Sequence, residues 1–182
     1  VAGAADIQRD MTNARRSLAA FLLFLFSFVM PSAVHAAVQV HFYSREFGNQ
    51  FPHAFIIVEG TLDATGEKIS ANYGFTAASI TPAVLMGSVK GYVQALKPEY
   101  IAKADRRFTV TVNDDGYAKL MAKVAEWQAR AQPAYSLNKR NCVHFVMELA
   151  AVTGLKVNRT STFFKKPRSF LDEVLGLNPG VK

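Results

Sequence analysis

Apolar and polar side chains alternate from Val38 to Tyr43, the period of a half-buried strand, and His41 falls within it. Ser44 to Phe51 is a polar loop, after which Pro52 to Gly60 is rich in β-branched and aromatic residues. Asp63-Ala64-Thr65-Gly66 then reads as a turn and Lys68 to Phe75 as the returning strand. The two form a hairpin with His53 at its entry end, a residue sharing its face with Phe55 and Ile57. Thr81-Pro82 opens a short turn or helix, and Gly87 to Val93 is expected to be a further strand, its glycines marking a bulge or a close backbone approach. Arg107 to Val112 alternates clearly. Asn113-Asp114-Asp115 caps a helix in which Tyr117, Leu120, Met121, Val124 and Trp127 recur at helical spacing, a stripe suited to core packing. A second helix runs from Asn141 to a stop at Gly154, and a last short one from Pro167 to Leu175. The predicted class is α+β, an antiparallel sheet packed against a cysteine-bearing helix.

The earliest apolar run has a different character. Arg15 and Arg16 precede Leu18 to Met30, and Pro31 to Ala36 then places small residues three and one positions before a cut after Ala36. This is the three-part pattern of a secretory signal peptide, and the run falls short of the roughly 18–20 residues a spanning helix needs. Residues 1–36 are therefore expected to be an upstream segment plus leader, with Met11 as the start and His35 discarded. Residues 37–182 are expected to be one exported domain, periplasmic or secreted.

Composition narrows the chemistry. The formal net charge is +7, with Lys165, Lys166 and Arg168 clustered and Lys156 and Arg159 close by. In an exported protein this charge suits anionic lipid or cell-wall polymer, and a solvated basic face would have the same composition. Interleaved stacking aromatics of the kind that bind nucleic acid are missing from the sequence. It also has no His-x-x-x-His or Cys-x-x-Cys spacing and no Gly-rich phosphate loop, so neither metal nor cofactor is expected. A monomer is expected.

With one cysteine, Cys142, an internal disulfide is impossible. Its place is informative, because Asn141 is a good N-cap and a thiol in the first turn lies near the positive helix pole and unpaired N–H groups, which favour the thiolate. At about 100° per residue, His144 points away from Cys142, so a base must come from elsewhere, and His53 is the best placed. His41 reads as structural or surface. Asn158-Arg159-Thr160 matches a glycosylation sequon, a weak signal.

Asn141-Cys142-Val143-His144-Phe145-Val146, following the Pro52-His53-Ala54-Phe55 strand, resembles the lecithin retinol acyltransferase family and its relatives among the circularly permuted NlpC-type papain-like hydrolases. The resemblance covers most of Ala37 to Phe170, and its specific part is the cysteine helix and the histidine strand. It implies Cys142 as nucleophile, His53 as general base, and an acyl-thioester intermediate. It also implies a polar side chain on the following strand that orients the imidazole. Asn72 is the natural choice by chemistry, Tyr73 and Thr76 being the others, and a register centred on Ala64-Thr65 sets Thr76 more nearly opposite His53. Three functions follow as expectations: a thiol hydrolase cutting an amide of cell-wall peptide, the same Cys-His pair acting on lipid or thioester acyl groups, and a binding module without turnover.

Overall fold

The computed structural model describes residues 37–46, 51–79, 81–130, 132 and 134–181; the leader, its cleavage point, Met11 and His35 lie outside them. The order of elements is β1 (Val38–Arg45), β2 (His53–Thr61), β3 (Lys68–Ala77), α1 (Ala83–Met86), β4 (Gly91–Gln94), α2 (Pro98–Ile101), β5 (Asp105–Val112), α3 (Asp114–Ala129), α4 (Cys142–Val152) and α5 (Pro167–Leu177). The strands form one five-stranded antiparallel sheet, ordered β4-β3-β2-β1-β5. The α+β class is as expected, with the cysteine helix packed on the sheet. Among the described residues no helix is long and apolar enough to cross a membrane.

Alternation along β1 and β2 divides the sheet into two faces. Val38, Val40, Phe42, Ala54, Ile56 and Val58 are fully buried and join Phe108, Phe145, Leu149 and Phe170 in the core between sheet and helices. Leu120, Val124 and Trp127 of α3 enter the same core, as their spacing predicts, while Tyr117 and Met121 stay partly buried at its edge. On the opposite face Phe55 stacks on Tyr43 at 5.3 Å, and the segment carrying Leu96 and Tyr100 lies against it. His41 is buried on that face, 2.8 Å from the Thr109 hydroxyl and 3.6 Å from Glu59. This is a structural position.

The hairpin register runs Gly60↔Ile69, Ile57↔Asn72 and Ile56↔Tyr73, centred between Ala64 and Thr65. One predicted strand is shorter than expected. Pairing begins only at Gly91, because Val89 exchanges backbone hydrogen bonds with Tyr135 instead of with β3. Gly87 and Ser88 stay exposed and unpaired in strand form. The one-turn helix α2, opened by Pro98, was not predicted.

Candidate active site

Helix α4 begins where its sequence says it should. The Asn141 side-chain oxygen accepts from Val143 N–H at 2.8 Å and from His144 N–H at 3.3 Å, while Asn141 N–H reaches back to His144 Nδ1 at 3.3 Å, a reciprocal capping box. His144 stacks on Phe164 at 4.3 Å and belongs to this cap. Asn141 does more than cap. Its amide nitrogen donates to Leu137 O at 2.8 Å and Phe164 O at 2.7 Å, tying two loops to the start of the helix. Gly154, with φ +90°, ends the helix in a backbone conformation that glycine adopts freely.

The cap sets Cys142 against the start of β2. The backbone N–H groups of Ala54, Val143 and Cys142 itself lie close enough to Sγ to favour the thiolate. Ala54 is the residue after His53, and the β2–β3 pairing ends at Ile56↔Tyr73, before either. The thiol therefore approaches the strand end from the helix side while the imidazole stands on the Phe55 face. No hydrogen bond joins the two. Cys142 is 4% and His53 8% exposed, so each is reached only through a cleft.

Two clefts meet here. The larger, about 350 Å³, runs past His53 between Thr76, Gln94, Leu96, Lys97 and Tyr100. The smaller, about 200 Å³, runs past Cys142 between Val143, Phe164, Lys165 and Pro167. Phe51, Pro52, Tyr135 and Leu137 line both.

Burial dominates the electrostatics. It pushes the Cys142 thiol up to about 11 against the pull of its three N–H neighbours, and it pushes the His53 imidazole down to about 4. Both groups are neutral near pH 7. Tyr135, also beside the thiol, is raised by desolvation and by the nearby thiolate charge.

The strand after His53 has a particular arrangement. Both ends of the Asn72 carboxamide engage Leu96, accepting from its N–H at 2.5 Å and donating to its carbonyl at 3.4 Å, and Asn72 makes no hydrogen bond to His53. Tyr73 stands across from Ile56. Carried on, the register sets Thr76 across from His53, and Thr76 lines the larger cleft. His53 Nε2 is buried without a hydrogen-bond partner. The residue it approaches is Gly74, where an added Cβ would lie 2.8 Å from Nε2 and 3.0 Å from Leu96 Cδ1. Gly74→Ala is expected to displace the imidazole and to cost about 1–3 kcal/mol of overpacking, read as a lower urea midpoint. An unchanged midpoint would show that the ring is not packed on this glycine.

No protein-family model, curated protein or solved structure matches the chain. Its chemistry follows from the groups just placed. Ala54, Tyr100 and Tyr135 are the neighbours of the thiol and imidazole that sequence reasoning missed. Pro98 behind Lys97 was the available signal for α2, since proline favours the first helical position.

Proposed function

We propose that the protein is an exported cysteine hydrolase on a permuted papain-like plan, acting on an amide of cell-wall peptide through an acyl-thioester. The observation that supports this most is the setting of Sγ. It stands at the start of a capped helix, lies close to three N–H groups, and opens on a cleft adjoining the one that holds His53. Such N–H groups stabilise negative charge developing on sulfur or on a tetrahedral oxygen. In the reaction Sγ attacks the carbonyl carbon, the thiol proton passes to His53 and on to the departing amine, and the C–N bond breaks. Water then attacks the thioester, giving a carboxylic acid and the free thiol. Thr76, Gln94 and Lys97 in the larger cleft offer partners to a peptide, and Lys165 lines the smaller one. Lys166 and Arg168 extend that basic edge toward an anionic surface, Arg168 lying 3.7 Å from Asp105.

Because thiol and imidazole are both neutral at rest, the proton moves during attack. This gives a pH signature. The neutral pair is the dominant form between about 4 and about 11, so acetylation of Cys142 by p-nitrophenyl acetate should be flat across that span. In His53→Gln only free thiolate reacts, so the rate should fall near neutrality and climb about tenfold per pH unit toward the alkaline side. Cys142→Ala should abolish acetylation, followed by mass spectrometry of the intact chain. A wild type that tracks His53→Gln across the whole range would end the hydrolase reading. That result would favour the second reading, a binding module without turnover, whose support is the burial of both groups. Cys142→Ser, offered cell-wall fragments and phospholipid vesicles separately, distinguishes peptide from lipid acyl substrates by which it retains.

A further inference from the structure

Among the described residues no hydrogen bond to the His53 imidazole is found: Nε2 is buried and unpartnered, and the β3 residue it approaches is Gly74. Its ring is instead enclosed by other rings. Tyr100 meets it edge-on, with centroids 6.2 Å apart and planes at 80°, and Phe55 lies beside it at 6.2 Å. Tyr100 is itself fixed twice, against Phe55 at 6.1 Å and 63°, and under the Arg45 guanidinium 4.0 Å from its centroid. Arg45 is the β1 residue paired with His53 in register, so strand pairing and ring packing meet at one place. Aromatic edges of this kind have preferred geometry and so can set a ring's orientation, as a hydrogen bond would.

We propose that Tyr100, clamped between Arg45 and Phe55, is the positioning residue that holds the His53 imidazole at the cleft wall. This role rests on the Cys142–His53 reading above. Tyr100 acts through the edge of its ring and not through its hydroxyl. The groups facing the imidazole are Arg45, paired with it on β1, Tyr100 from α2, and Lys97, which lines the same cleft. Among them only Tyr100 makes a ring contact to His53 from outside the sheet.

The test uses acetylation of Cys142 by p-nitrophenyl acetate in the full chain, from acid to alkaline pH. Tyr100→Phe keeps the ring and should retain the wild-type plateau. Tyr100→Ala should lower the plateau about tenfold, the order expected for one lost aromatic edge contact that bears on the transition state. The alkaline limb, where free thiolate reacts without imidazole, should be unchanged, a split that general loosening of the fold would not produce. In the His53→Gln background Tyr100→Ala should cause no further fall. A Tyr100→Ala plateau equal to wild type, or an equal loss with and without His53, would overturn the role. Loss of the plateau in Tyr100→Phe would overturn it too, since the hydroxyl would then be the active part. A wild type that shows no His53-dependent plateau removes the Cys–His reading first, and the role with it.

Discussion

Asn141→Ala should lower the unfolding free energy by about 2–3 kcal/mol, the sum of a lost helix cap and two half-buried carbonyls left without this donor. The size follows from how fully the side chain is used. It is 2% exposed, its oxygen takes two first-turn N–H groups, and its nitrogen closes Leu137 O and Phe164 O. Asn141→Asp separates the two roles. The carboxylate keeps the cap and suits the positive helix pole, yet offers no donor and sets negative oxygens against two carbonyls. It should therefore be no more stable than the alanine variant in urea denaturation. An aspartate variant close to wild type would mean that the cap alone matters and that the two loop contacts contribute nothing. Because Leu137 and Phe164 both line the cysteine-side cleft, the same substitutions should also expose Cys142 to faster alkylation by bulky reagents.

What the sequence announced, it announced through periodicity and punctuation. The β2–β3 hairpin could be read because alternating strands flank Asp63-Ala64-Thr65-Gly66, and its register is centred where that turn requires. Helix α4 could be read because Asn141 and Gly154 mark its ends. The β4 strand was read too long, since Val89 has strand character by composition but finds its backbone partner in Tyr135, a choice made by tertiary packing. Helix α2 is a single turn, too short for any period to show. The same limit hid the site's finer parts. The Ala54 amide lies near Sγ at a point where the β2–β3 pairing has already ended, and a backbone group has no letter in the sequence. Asn72 looked like an orienter by chemistry, yet its carboxamide is held by the Leu96 backbone, a contact made by a loop that carries no motif.

Burial of an imidazole whose Nε2 has no partner should make the fold sensitive to acid in a window that can be named in advance. The His53 pKa is lowered from 6.5 to about 4 by desolvation alone. In that interval the unfolded chain takes up a proton that the folded chain refuses, so stability rises with pH there and falls as pH drops. The stability associated with the neutral ring is fully present above 6.5 and gone below about 4, a loss approaching about 3 kcal/mol. His41 and His144 are also lowered, chiefly by desolvation, and shift stability in the same direction. Carboxylates titrate over part of the same range, so the comparison must be with a variant lacking only this ring. His53→Gln should lose less unfolding free energy than wild type between about pH 7.5 and 4.5, by roughly 2–3 kcal/mol. Equal acid losses in the two proteins would mean that His53 protonates freely in the folded state, and the ring would then have to reach water through the cleft that Tyr100 lines.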